Sequence, residues 1–318
     1  MHPFDEPAGL AGTGGRYRQS DQRLDLRAMK IGVVFPQTEI GPDPVALRTY
    51  ATQVEALGFT HLLAYDHVLG ADTEVHQNWR GPYDLATTFH EPFVLFGYLA
   101  AVTSIELVTG IIIAPQRQTA LLAKQAAEID LLTGGRFRLG VGIGWNAVEY
   151  EALGVDFSTR GRRMSEQIEL LRRFWTEPSV TFEGRFDRVT GAGLAPMPVQ
   201  RPIPVWIGGS SEPAYRRMGR LADGWFPQVN PGPKLDAARA VLEGAAVEAG
   251  RDPASIGMEG RASWTRDGVE KLVDHAGRWR EAGATHLSVN TMGSRLQSVD
   301  EHLEALAAAA AALQLPST

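Results

Sequence analysis

The sequence contains no cysteine among its 318 residues. Thiol nucleophiles, disulfides, iron–sulfur clusters and cysteine-ligated zinc sites are therefore excluded. Long apolar segments are missing as well, because the longest runs, Phe93–Val102 and Ala305–Leu313, are well short of the roughly 18 residues that span a membrane. The first residues also lack the apolar core of a secretory signal. We expect a cytoplasmic protein that does not enter a membrane.

Positive charge is scarcer than negative charge. Lysine and arginine number 31 against 37 aspartate and glutamate residues, which gives a formal net charge of −6. A protein that binds nucleic acid or an acidic membrane surface usually carries a basic stripe, so neither partner is expected. Hydrophobic residues make up 44% and charged residues 21%, as in an ordinary globular protein with a large core.

Residues 1–28 differ from the rest of the chain, since they are polar, rich in glycine and without hydrophobic periodicity. We expect this extension to be disordered, and a regulatory arm is the alternative. From Met29 onward, apolar runs alternate with helical patterns, which gives eight strand–helix units in 29–318. The predicted strands are 31–35, 61–65, 106–113, 136–141, 204–207, 224–227, 255–260 and 285–289.

This alternation predicts an α/β protein, a (β/α)₈ TIM barrel with an insertion at about 177–201. A possible hairpin lies within the insertion at 180–186. A doubly wound sheet is the competing fold, but it would have fewer strands and a glycine-rich turn after the first strand. The turn at 36–39 reads PQTE and holds no glycine.

Catalytic residues of such barrels lie at the C-terminal ends of the strands. The four lysines fall at strand starts or on helices, which disfavours a Schiff-base enzyme. Only Asp66 and His67 form an acid–base pair after a strand, too few ligands for a metal site. A barrel mouth that is poor in proton donors and rich in glycine indicates a bound organic cofactor.

Two glycine-rich turns follow successive predicted strands, at Gly140–Gly144 (GVGIG) and at Gly208–Ser211 (GGSS). Backbone N–H groups in such turns can approach an anion at a helix N-terminus. If only one of these glycine runs were present, close backbone packing in a tight turn would be enough to explain it. Two such turns side by side favour a binding site.

Aromatic residues are expected around this mouth. Trp145 follows the first glycine run directly, and we expect it to line the pocket. Trp79 and Tyr83 lie in the loop 69–90, which with the insertion is expected to shape the substrate pocket. These rings could equally pack at a subunit interface. For Asp66 and His67, the alternative is a loop cap and a histidine on the rim.

Several stretches of the chain resemble the luciferase-like monooxygenase superfamily, in particular its branch of oxidoreductases that use the deazaflavin coenzyme F420. The stretches are KIGVVFP at 30–36, DHV at 66–68, ELVTGIIIAPQ at 106–116, LAKQAAEIDLLTGGRFRLGVGIGW at 122–145, PIPVWIGGS at 202–210 and ADGWFP at 222–227. Together they span nearly the whole predicted barrel.

The resemblance implies a homodimer with coenzyme F420 in the barrel mouth and its phosphate chain near the two glycine turns. It also implies a cis peptide bond between Gly110 and Ile111, beneath the coenzyme ring. The residues expected at the coenzyme are Asp66, Gly110, Ile111, Gly142, Ile143, Gly144, Asn146, Gly208, Gly209, Ser210 and Ser211.

In the family, the histidine that matches His67 lies near the ring carbon that exchanges hydride, and it acts as an acid/base or stabilises the charged ring. The aspartate that matches Asp66 contacts the coenzyme. The sugar-phosphate dehydrogenases of this branch have an acidic base where this chain has Trp145. This departure disfavours glucose 6-phosphate and leaves the second proton-transfer group open, with Glu149 as a substitute candidate.

Three functions follow from this resemblance. The first is hydride transfer between coenzyme F420 and a small organic substrate, with His67 and Asp66 as the catalytic pair. The alternative is an FMN-dependent two-component monooxygenase, and a cis rather than trans Gly110–Ile111 bond favours the first over it. The third is a flavin-binding barrel without catalysis.

Overall fold

Short apolar runs form parallel strands whose two faces are both buried, as in β5, where every residue is buried. The computed structural model describes residues 29–265 and 268–316, and the predicted extension 1–28 lies outside them. The strands of the described residues are β1 (Lys30–Val34), β2 (His61–Ala64), β3 (Glu106–Thr109), β4 (Ile112–Ile113), β5 (Phe137–Gly142), β6 (Val180–Glu183), β7 (Arg188–Ala192), β8 (Val205–Gly209), β9 (Gly224–Pro227), β10 (Gly257–Ser263) and β11 (His286–Asn290).

Helices occupy most of the connections between these strands. They are α1 (Pro44–Ala56), α2 (Pro92–Leu99), α3 (Thr119–Leu132), α4 (Ala147–Ala152), α5 (Arg160–Thr176), α6 (Glu212–Leu221), α7 (Pro233–Glu248), α8 (Val269–Glu281) and α9 (Val299–Ala312). Helix α1 begins with Asp43 as its N-cap, whose carboxylate accepts from the Val45 N–H at 3.0 Å. Within the described chain, no helix has both the length and the apolar composition to cross a membrane.

The strands close into a barrel. Their order is β3-β2-β1-β11-β10-β9-β8-β5-β4, and a further pairing of β3 with β5 joins the two ends. The pairs around this barrel are parallel, for example Lys30 with His286 and Leu107 with Phe137. Since β3 and β4 are two halves of one barrel strand, eight strands surround the axis. The predicted (β/α)₈ barrel is confirmed.

The third barrel strand, predicted as one element over 106–113, is interrupted at Gly110 and Ile111. The peptide bond between these two residues is cis, as the family resemblance implied. Before the interruption, β3 pairs with both β2 and β5, whereas β4 pairs with β5. The sequence does not predict the short helix α4, because its six residues are too few for a helical period to be visible.

The insertion between α5 and β8 holds an antiparallel hairpin of β6 and β7. Its return strand lies at 188–192, so the hairpin is longer than the predicted 180–186. The Glu166 carboxylate of α5 accepts from the backbone N–H groups of Arg185, Phe186 and Asp187, each at 2.8 Å. These bonds attach the hairpin to the outer helical layer.

Buried charges cross the lower barrel interior. Arg138 on β5 donates to Glu259 on β10 at 2.6 Å and to Glu106 on β3 at 3.0 Å. Glu259 also accepts from the Ser288 hydroxyl at 2.5 Å and lies 3.1 Å from His61 Nε2. Burial alone would raise the pKa of the Glu259 carboxyl, but Arg138 and His61 outweigh it and hold this pKa well below its usual range. The network joins five of the barrel strands.

Acidification from pH 7 to pH 5 is expected to lower the free energy of unfolding through His286. Burial and the nearby cations Arg138 and Lys30 lower the pKa of His286 to about 3. It therefore stays neutral in the folded protein at pH 5, whereas the unfolded chain takes up a proton below about pH 6.5. The contribution of His286 to the free energy of unfolding is complete above about pH 6.5 and is lost as the pH falls toward 3. Urea unfolding should show a loss on the order of 1–2 kcal/mol.

The variant His286→Gln isolates this contribution. Burial lowers the pKa of His302 to about 4, so His302 adds to the decline in both proteins. Glu259 works in the same sense but in a lower pH window, because its depressed pKa adds stability that is lost only as the pH falls through and below the usual carboxyl range. The variant should lose less stability between pH 7 and pH 5, and an equal decline in both proteins would contradict the assignment.

Candidate active site

A cavity of about 440 Å³ opens at the C-terminal ends of the barrel strands. Its volume suits a small organic molecule or cofactor. Most residues that sequence analysis placed at the coenzyme or substrate line it. They are Asp66, His67, Tyr83, Gly110, Ile111, Gly142, Ile143, Gly144, Trp145, Gly208, Gly209, Ser210 and Ser211.

Two predicted site residues lie behind this wall. Asn146 is the N-cap of α4, where its Oδ1 accepts from the Val148 N–H at 3.0 Å and its Nδ2 donates to the Leu69 carbonyl at 3.3 Å. Trp79 does not line the cavity and packs against Trp145, with ring centroids 5.4 Å apart. No residue of the insertion 177–201 lines the cavity, so the expectation that this segment shapes the pocket is not met.

The floor of the cavity is made where the side chain of Ile111 packs against two glycines. A Cβ atom on Gly142 would lie 2.5 Å from Ile111 Cδ1, and one on Gly208 would lie 3.1 Å from Ile111 Cγ2. Side chains at these positions would displace Ile111 or fill the space above it. Glycine in both turns therefore leaves a low apolar platform on which a flat ring can rest.

His67 follows β2 and is oriented by the carboxylate of Glu149, which the sequence suggests only as a second proton-transfer group. Its Nδ1 lies 3.0 Å from Glu149 Oε1. The Glu149 side chain is 1% exposed, and it also accepts from the N–H groups of Val68 and Leu69 and from Gln116 Nε2. Burial opposes ionisation of Glu149, but these hydrogen bonds, led by that of His67, lower its pKa overall.

The ionised Glu149 carboxylate determines which nitrogen of the imidazole carries hydrogen. Because Oε1 is an acceptor, Nδ1 of a neutral His67 is the protonated nitrogen, and Nε2 keeps its lone pair. A sequence signal for Glu149 existed in its spacing from the helix cap Asn146, which places it in the first turn of α4. That turn lies directly after the glycine run, beneath the loop that carries His67.

Asp66 is buried and has protein partners on both carboxylate oxygens. Oδ1 accepts from Arg117 Nη2 at 2.9 Å, and Oδ2 accepts from the Ile113 N–H at 2.9 Å. Burial raises the pKa of Asp66, although Arg117 opposes this effect. Arg117 is also paired with Glu91 at 3.0 Å. Asp66 thus joins the loop after β2 to the turn after β4, and a contact with the coenzyme stays a prediction.

Aromatic rings enclose His67. The ring centroids of Phe89, Tyr83 and Trp145 lie 4.8, 5.0 and 5.4 Å from that of the imidazole. Trp145 keeps 39% of its surface exposed, so it forms the outer edge of the cluster. Such an enclosure reduces the access of water to the His67 imidazole. Among the described residues, no group of three or more histidine and acidic side chains could hold a metal ion.

Comparison with known proteins gives relatives of two kinds. An uncharacterized protein of Mycobacterium tuberculosis (strain ATCC 25618 / H37Rv) is 37% identical over 188 residues, which cover 58% of this chain and 65% of that protein, less than two thirds of its length. An FMNH₂-dependent dimethylsulfone monooxygenase of Pseudomonas putida is 36% identical over 162 residues, which cover 48% of this chain and 44% of that protein.

A solved structure shares the whole fold. It is an F420-dependent secondary alcohol dehydrogenase in complex with an F420–acetone adduct, with a TM-score of 0.73, 17% identity and coverage of 88% of this chain and 99% of that chain. The sequence profile of the luciferase-like monooxygenase family matches residues 29–310. The match covers almost the entire length of the barrel, whose cavity lies at the strand ends. This chain therefore belongs to the luciferase-like monooxygenase family.

Proposed function

We propose that this protein is an oxidoreductase that transfers a hydride between bound coenzyme F420 and a small organic substrate. The observation that carries the proposal is the His67–Glu149 pair, which stands at the edge of a glycine-floored cavity. An acid–base group in such a position is suited to the proton that accompanies hydride transfer. The F420-dependent dehydrogenase with the same fold is consistent with this chemistry.

The residues of the cavity fit a flat ring with an anionic chain. Ile111 would support the ring, and the glycine turn Gly208–Ser211 at the start of α6 would hold the phosphate. When bound, the coenzyme supplies the hydride acceptor or donor, and the protein supplies position and proton transfer. The homodimer implied by the family resemblance stays a prediction.

His67 would move the proton through Nε2. With Nδ1–H donated to Glu149, the Nε2 lone pair can accept a proton from a substrate hydroxyl that is being oxidised. The Glu149 carboxylate then stabilises the imidazolium that forms. In the reverse direction the same imidazolium returns the proton, so one dyad serves both directions.

An FMN-dependent monooxygenase is the second candidate. The rings of Phe89, Tyr83 and Trp145 around His67 favour it, because the chemistry of reduced flavin with O₂ needs protection from water. The Pseudomonas putida relative is named as an enzyme of this kind. The F420-dependent oxidoreductase and the FMN-dependent monooxygenase would therefore bind different coenzymes in the same cavity.

Titration of the purified protein with F420 and, separately, with FMN tests the proposal through quenching of its seven tryptophans. We expect F420 to bind at least about tenfold more tightly than FMN, a difference of about 1.4 kcal/mol. Tighter binding of FMN would favour the monooxygenase instead. If neither compound binds, the proposed function is wrong.

Two leucine variants show whether quenching reports the cavity. Gly208→Leu places a side chain beside Ile111 on the cavity floor and should abolish binding. Gly244→Leu is the matched control, because a Cβ atom at Gly244 on α7 meets no other atom within 4 Å. Equal quenching in both variants would mean that the ligand binds elsewhere.

A further inference from the structure

Arg217 is a buried cation in the wall of the cavity. It lies on α6, is 8% exposed and lines the cavity together with Met164 and Ser211. Its Nε donates to the Ser165 hydroxyl at 2.9 Å. One terminal nitrogen lies beside α5, where a Cβ atom on Gly161 would come within 3.1 Å of it. The glycine at 161 therefore gives the guanidinium room between the two helices.

No carboxylate of the described residues pairs with Arg217. Arg138, which is also buried, has Glu259 and Glu106 as partners, and the partly buried Arg117 has Asp66 and Glu91. A buried guanidinium without a counter-ion is costly, because it loses water without gaining an opposite charge. Carboxylates offset the desolvation of Arg138 and Arg117, whereas no carboxylate of the described residues does so for Arg217.

Electrostatics around Arg217 favour an anion. Burial and the neighbouring cation Arg220 both disfavour the positive charge of Arg217 and lower its pKa. The N-terminus of α6 faces the same end of the cavity, and Ser211, its N-cap residue, makes no side-chain cap hydrogen bond. The dipole of α6 adds further positive potential at this end of the cavity. An anionic ligand group would balance all of these charges.

We infer that Arg217 binds the phosphate group of the ligand and makes the cavity selective for phosphorylated over unphosphorylated flavins or deazaflavins. The inference rests on the proposed function for the ring, but it holds equally for FMN and for F420. A guanidinium whose Nε is anchored by Ser165 presents its terminal N–H groups as a pre-oriented fork, a geometry that matches phosphate oxygens.

The test compares ligands that differ only in their phosphate-bearing chain. FMN is compared with riboflavin, and F420 with its chromophore carrying only the ribityl chain. In the wild-type protein the phosphorylated member should bind about 10–100-fold more tightly, as expected for charge-assisted hydrogen bonds. In Arg217→Met the ratio should fall to within about threefold, and Arg217→Lys, which keeps the charge without the fork, should give an intermediate ratio.

Arg216→Met is the matched control. Arg216 is the exposed neighbour on α6, paired with Glu212 at 3.0 Å, and its removal should leave the ratio unchanged. An unchanged ratio in Arg217→Met, or an equal loss for both members of a pair, would overturn the inference while leaving ring binding intact. A wild-type protein without preference for phosphate would overturn it as well.

Inorganic phosphate separates this inference from the proposed function. It should raise the melting temperature of the wild-type protein and not that of Arg217→Met. If neither ring compound binds but phosphate stabilises through Arg217, the coenzyme proposal fails and the anion site stands. If phosphate gives no stabilisation and the ring compounds bind without regard to their phosphate, the Arg217 inference fails alone.

Discussion

Replacement of His67 by glutamine is expected to lower turnover by about 10²–10⁴-fold, the usual contribution of a positioned general acid–base group. Glutamine can still donate to Glu149, so the loop after β2 should keep its conformation, but it cannot accept and return a proton. Coenzyme affinity should change only a few-fold. The measurement is the rate of oxidation or reduction of the bound coenzyme, followed by its visible absorbance with the best substrate of an alcohol and ketone panel.

Two further variants test whether this loss of turnover reflects proton transfer by His67. Glu149→Gln keeps the imidazole but removes the charge behind it, so we expect a smaller loss of about 10–100-fold that depends on pH. His76→Gln is the control, because His76 lies in the same loop region and does not line the cavity. Wild-type turnover in His67→Gln would show that the proton is handled by another group.

Replacement of Glu259 by glutamine is expected to cost about 3–5 kcal/mol of unfolding free energy. The change removes the charge that pairs with Arg138 at 2.6 Å and leaves that cation buried with one partner at the barrel edge. Glutamine also places an amide group against the donors Ser288 and His61. Urea unfolding at pH 7 measures the loss as a shift in midpoint.

Glu106→Gln is the matched control for this stability effect. Glu106 binds the same guanidinium at 3.0 Å, but its side chain is 25% exposed. Water can therefore solvate the group left behind, and the expected loss is about 1 kcal/mol. Equal losses in the two variants would show that burial of Glu259 does not govern the stability of the network.

The barrel could be predicted from sequence because its signals are local. Each strand is a short run of apolar residues, and most helices begin or end at a residue that favours a terminus, such as Asp43 or Ser298. Position along the strand then placed Asp66 and His67 at the mouth. The glycine turns were also visible, because close backbone approach requires glycine there.

The partners of the site residues could not be predicted in the same way, because they depend on contacts between distant segments. Glu149 meets His67 across 82 positions, and Arg217 meets Ser165 across 52. No carboxylate within 29–265 or 268–316 pairs with Arg217, and this absence has no local signature in the sequence. Trp79 is likewise an aromatic residue suited to a pocket, but it does not line the cavity and packs against Trp145 instead.

The attachment of the β6–β7 hairpin has an evolutionary consequence. Glu166 holds the hairpin on the outer helical layer, and none of the hairpin residues lines the cavity. Changes in its length or composition can therefore accumulate by drift without altering the reaction. Divergence counted over 177–201 would then overstate the functional distance between relatives, whereas divergence at the few positions around His67 and Arg217 would measure it.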